Sequence, residues 1–92
     1  MELDELIEQV NSKESFLEFV EALQTDWQAS RDEEKVSPSS PYGPAARDWE
    51  NPELGRFLEA MRAWTEDMGD RIPDVPDWRT FAEMLYAAKI YE

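Results

Sequence analysis

Ninety-two residues with four Trp, four Phe and three Tyr are enough for one small domain with a modest core, and the absence of Cys and His excludes a disulfide scaffold, thiolate chemistry and the commonest general base. The formal net charge is −13 and is unevenly placed: residues 1–34 hold eleven acidic and two basic side chains (−9), residues 35–92 eleven and seven (−4). Binding to nucleic acid or to an anionic membrane is therefore not expected, because both need a cationic footprint. No segment approaches the roughly 20 apolar residues that span a bilayer. The acidic MELDELIEQV start is the opposite of a signal peptide, so the expected setting is cytoplasmic.

Leu3, Leu6, Ile7 and Val10 predict a short amphipathic N-terminal helix. Asn11 to Glu14 resembles a capping box, with Ser12 as the other candidate for its first residue. From there Phe16, Phe19, Val20, Leu23 and Trp27 share one helical face, which predicts a helix over about 12–30. Its outer face carries Glu14, Glu18 and Glu21 at helical spacing with Lys13 the nearest cation. Like charges so placed cost a few tenths of a kcal/mol each. That arrangement is either a plain solvated face or a surface presented to a basic partner.

Residues 31–48 lack an apolar period, and VSPSSPYGPAA supplies three Pro and three Ser, so a flexible loop is expected there with Tyr42 as its one large anchor. Asn51-Pro52 then reads as an N-cap followed by a first-turn proline. Leu54, Phe57, Leu58, Met61, Trp64 and Met68 form the face of a helix over about 52–68, and Gly69 fits its C-terminal stop. Gly55 inside that helix costs about 1 kcal/mol relative to Ala, which suggests a neighbour packed close against it. After Pro73 and Pro76, Asp77 caps a last helix over about 78–91 with Trp78, Phe81, Ala82, Leu85 and Ala88 as its inner stripe. Its apolar end is expected to dock. Trp27, Trp64 and Trp78 fall at core phases of their helices. Trp49, just before a helix start, is expected either to staple that start or to stay part-exposed as an interface anchor.

The expected fold is all-α: a small bundle of three main helices plus the short N-terminal one, in a single domain over 1–92 with the 31–48 loop inside it. Chemistry is harder to find. Glu18-x-x-Glu21 matches the first carboxylate pair by which all-α nucleotide pyrophosphatases hold magnesium, but no later helix completes the second pair and no basic cluster would hold phosphates. Asp67, Asp70, Asp74 and Asp77 have the wrong spacing for an EF-hand loop and are broken by two prolines. Gly43, Gly55 and Gly69 are isolated, so no phosphate-cradling loop is present.

Val10-Asn11-Ser12-Lys13-Glu14-Ser15-Phe16, Trp49-Glu50-Asn51 and Ala87-Ala88-Lys89-Ile90-Tyr91-Glu92 together resemble a family of short acidic bacterial proteins of unknown function. The likeness covers nearly the whole chain apart from 31–48. It brings no established activity and therefore no catalytic residue; by analogy of size and charge it points toward immunity proteins that neutralise toxins. The expectation is thus a non-catalytic protein-binding module, most concretely an immunity-type inhibitor of a basic partner. It needs no cofactor or metal, is a monomer or homodimer, and has Glu14, Glu18, Glu21, Tyr42 and Trp49 as its partner-binding residues. The alternatives are a carboxylate- and metal-dependent hydrolase using Glu14, Glu18 and Glu21, and a homo-oligomeric structural module.

Overall fold

A computed structural model describes residues 1–40 and 43–91. Four α-helices account for most of them: α1 (Leu3–Glu8), α2 (Lys13–Val36), α3 (Leu54–Met68) and α4 (Trp78–Ile90), with short 3₁₀ turns at Ala46–Asp48 and Gly69–Arg71. Among the described residues there is no strand, only an isolated bridge between Ala45 and Trp49. The all-α bundle expected from periodicity is therefore observed.

The α4 helix is the hub, touching α1, α2 and α3. Its buried positions are Ala82, Ala87, Ala88 and Lys89, and three small side chains in that run let neighbouring helices approach closely. The core cluster joins Ile7 and Val10 from the N-terminal turn, Phe19 and Leu23 from α2, Trp49 from the connection and Ala82 from α4. Asp77 caps α4 as expected, accepting from the Thr80 backbone N–H at 2.8 Å and from its hydroxyl at 2.7 Å. These two bonds hold the Asp77 carboxyl below the usual carboxylate range. At the second residue of α4, the Arg79 guanidinium donates to the carbonyls of Glu8 and Val10 and fastens the end of α1 to α4. At the start of α2 the cap is Ser12, not Asn11, and Ser15, not Glu14, makes the reciprocal bond.

Three boundaries differ from the sequence expectation. The second helix does not stop near Ser30 but continues for about six residues, to Val36. Arg31, Glu33, Glu34 and Lys35 are good helix formers without an apolar period, and the extension runs past the core, where no such period is needed. The loop is correspondingly shorter and its far end is held rather than free. The Glu34 carboxylate accepts from the Ser39 and Ala46 backbone N–H groups at 2.8 and 2.7 Å, and these bonds with the Ser39 hydroxyl lower its pKa. The third helix starts at Leu54 with Glu53 as its cap, so Asn51-Pro52 is not a helix start. Asn51 is buried and used elsewhere.

Burial of aromatic residues also departs from the helical phases. Trp27 and Trp64 are half-buried, and Trp78 remains 39% exposed, packed against Phe16 at 5.3 Å between ring centroids. On α3 the expected inner face is only partly covered, with Leu54 74% and Leu58 52% exposed. The reason is that α3 packs on α4 alone and shares no extended contact with α2. Gly69 ends α3 with φ +54°, a backbone that favours glycine. Gly55, by contrast, has no close neighbour: a Cβ there would meet nothing within 4 Å.

Two stability outcomes follow. Phe19, fully buried, should cost about 3–5 kcal/mol when changed to Ala in urea unfolding; a cost below about 1 kcal/mol would contradict its place in the core. Gly55→Ala should stabilise the protein by about 0.4–1 kcal/mol in the same measurement, because the space is open and the unfolded chain loses freedom.

Candidate functional site

Two features of the middle of α2 meet the connection to α3. The first is a junction built on Asp26. Its Oδ2 accepts from the Trp49 indole N–H at 2.8 Å and from the Lys89 ammonium at 2.9 Å, and its Oδ1 lies 3.4 Å from the Arg47 guanidinium. Side-chain exposure is only 16% for Asp26 and 9% for Lys89, and the Lys89 nitrogen sits 5.4 Å from the Trp49 ring centroid, a cation–π contact. Burial alone would raise the Asp26 pKa; the bonds from Lys89, Trp49 and Arg47 outweigh it and hold the carboxyl below its ordinary value of 3.8.

The chain turns sharply to reach this junction. Arg47 and Asp48 both have φ +63°, a left-handed conformation that costs roughly 1–2 kcal/mol for a non-glycine residue. They are held there from α2: the buried Ser30 hydroxyl donates to the Ala46 carbonyl at 2.6 Å, and Arg47 Nε donates to Glu33 at 3.0 Å. Just beyond, the Asn51 side-chain amide donates to the carbonyls of Ala88 (3.1 Å) and Tyr91 (2.7 Å), while its backbone N–H donates to Lys89 O at 3.2 Å. Those carbonyls belong to the last turn of α4 and to its C-cap, Tyr91, where a helix leaves its C=O groups without partners of its own. Asn51 is thus a cap for α4 supplied from outside that helix. The Trp27 indole completes the joint by donating to Pro52 O at 3.0 Å.

The second feature is an acidic cleft between α1 and α2, about 530 Å³, whose lining includes the apolar Leu3, Leu6 and Ala22 and the acidic Glu2, Glu18, Glu21 and Asp26. Arg47 reaches into it. Of the expected binding residues, Glu18 and Glu21 meet there; Glu14 is exposed on α2 but does not line it. Tyr42 lies outside the described residues. Of the two roles expected for Trp49, its 3% exposure rules out the part-exposed anchor, and its stacking 6.2 Å from Phe57 in the first turn of α3 fits the staple over a helix start. Its amphipathic ring fills the core while its N–H satisfies Asp26. Sequence reasoning missed Asp26, Arg47 and Lys89, whose pairing spans 21 to 63 residues. The one available signal was a lysine at a buried phase of α4. Among the described residues no group of three or more carboxylates is placed to share a metal ion, and no helix is long and apolar enough to cross a membrane.

The Asp26 junction carries a pH dependence of definite sign. The folded carboxyl titrates below the unfolded one, so its contribution is present above about pH 4 and is lost as pH falls through the folded value. Asp26→Asn should destabilise by about 2–3 kcal/mol at pH 7, somewhat less than a fully buried pair because some exposure remains. The gap between variant and parent should close as unfolding is measured at pH 4, 3 and 2; a gap independent of pH would refute the assignment.

Comparison with known proteins places the chain in a family. The model of the family of unknown function DUF7660 matches residues 12–92, and the chain belongs to that family. No curated protein and no solved structure matches it.

Proposed function

For this member of DUF7660 we propose a non-catalytic role as a protein-binding module. The acidic cleft and the neighbouring face of α2 take a basic segment of a partner, most concretely as an immunity-type inhibitor covering the cationic site of a toxin or nuclease. The observation that carries this reading is the cleft itself, whose lining combines the exposed carboxylates Glu2, Glu18 and Glu21 with the half-buried apolar Leu3, Leu6 and Ala22. An arginine or lysine has the matching shape, an aliphatic stem under a charged head.

Arg47 supports the reading from inside the molecule. Its guanidinium already bridges Glu33 and Asp26 at the edge of the same cleft, so one cation of this chain uses the chemistry that a partner's side chain would extend. The −9 charge of residues 1–34 would steer such a partner and make association fall with salt. In this setting the protein acts in the cytoplasm of a bacterium, needs no cofactor, and works by occlusion.

The test is affinity capture from the native cell at low and high salt, comparing the parent with Glu18→Lys/Glu21→Lys. A basic protein retained at low salt, released by high salt and lost by at least about tenfold from the double variant is the expected result. Retention of nothing basic, or equal retention by both forms, would overturn the proposal. Calorimetry with magnesium, manganese and calcium is the companion measurement: saturable binding would favour a metal-dependent hydrolase instead.

A further inference from the structure

Where α1 and α3 flank α4, a cavity of about 330 Å³ opens that shares no lining residue with the acidic cleft. Three half-buried aromatic side chains line it: Trp64 of α3, Tyr86 of α4 and Tyr91 at the C-cap of α4. Three exposed carboxylates join them, Asp4 and Glu8 of α1 and Glu83 of α4, and the remaining lining is aliphatic. No lysine or arginine lines it among the described residues. Trp64 has the helical phase of a core residue yet stays half-buried, because α1 and α3 pack on α4 without extended contact with each other. The Tyr91 hydroxyl donates to Asp67 of α3, which ties that ring across the cavity's end. Among the described residues, the apolar groove between α2 and α3 has no charged lining. This cavity combines aromatic surface with negative charge.

We propose that this cavity binds a small quaternary ammonium ion of the choline type, as a free molecule. Aromatic rings attract cations through their quadrupole, and the methyl groups of an alkylated ammonium also gain from an aliphatic lining. The chain uses this attraction twice elsewhere, with Arg31 5.8 Å from the Trp27 ring centroid and Lys89 5.4 Å from that of Trp49. Among the described residues no cation of the chain makes such a contact with Trp64, Tyr86 or Tyr91. The lining also discriminates between cations. A metal ion needs convergent oxygen ligands, and among the described residues no group of three or more carboxylates is so placed. A primary ammonium or a guanidinium needs acceptors for three to five N–H groups. A quaternary ammonium has no N–H, so aromatic and methyl contact within a negative field satisfies it. A betaine or a phosphocholine would bring its own anion among three carboxylates and is disfavoured. The volume is near the lower end of ligand pockets, about 300–1,000 Å³, which suits a small molecule. Because the cleft contributes no residue here, the site stands whether or not a basic partner binds there.

The test is titration of the full chain with tetramethylammonium and with choline, read by calorimetry and by NMR of the Trp64 indole N–H. Both should bind saturably and shift that signal, whereas ammonium, betaine and sodium at equal ionic strength should not. Trp64→Leu should weaken choline binding by at least about tenfold. Glu8→Gln/Glu83→Gln, at exposed positions, should keep the helical circular dichroism of the parent and weaken choline by about fivefold. That pair decides the matter if Trp64→Leu does not fold. Glu18→Lys/Glu21→Lys should leave the choline site working, which separates this site from the cleft. Choline binding weaker than about 10 mM overturns the proposal. So does equal binding of ammonium, or binding that the Glu8 and Glu83 substitutions leave unchanged. A trimethyllysine peptide bound at least about tenfold more tightly than choline would assign the site to a methylated protein, and equally overturns it.

Discussion

Much of this fold hangs on one carboxylate. Asp26 gathers an indole N–H, an ammonium and a guanidinium from the connection and from the end of α4, and so ties α2 to two segments that are distant in sequence. An isolated charge in so enclosed a place would be strongly unfavourable, but here donors converge on it from three side chains and the arrangement is mutually satisfied. The left-handed turn at Arg47 and Asp48 is the local strain that brings the donors in. Ser30, Glu33 and Glu34 of α2 hold that turn in place.

Two opposite faces of α2 are left open beside the junction. On one, α1 lies across the helix and leaves the acidic cleft; on the other, α3 stands apart and leaves the apolar groove. A chain this acidic gains from such segregation. Carboxylates grouped on one side create a field that attracts cations, whereas the residues that line the other are apolar apart from Gln24. The small residues of α4 make this arrangement possible, since a hub of Ala82, Ala87 and Ala88 lets three helices lean on one.

Several segments were legible locally. The apolar periods of Phe16 to Trp27 and of Trp78 to Ala88 identified two helices, and Asp77 with Thr80 identified a cap, because these signals lie within a few residues of one another. The same local logic failed at Asn51, whose sequence context matches a helix start but whose amide caps the end of α4 instead. At Trp49 it left two roles open for a related reason: a tryptophan between helices has no phase, so its burial depends on what the fold brings around it. It failed at Gly55, where the cost of glycine was read as evidence of a close neighbour and the space is open.

What the sequence alone determined is the class of the fold, the approximate place of each main helix, the concentration of negative charge in the first third and the location of Glu18 and Glu21 on an exposed helical face. Those follow from periodicity and composition, which are properties of short windows. Only the tertiary structure decided that Asp26 would meet Lys89 across 63 residues, that α2 would run on to hold the turn before Trp49, and that α3 would leave its leucines uncovered. The bonds that make those choices connect groups far apart in the chain. Each residue involved has an ordinary local role available to it, and only packing on α4 selects the other.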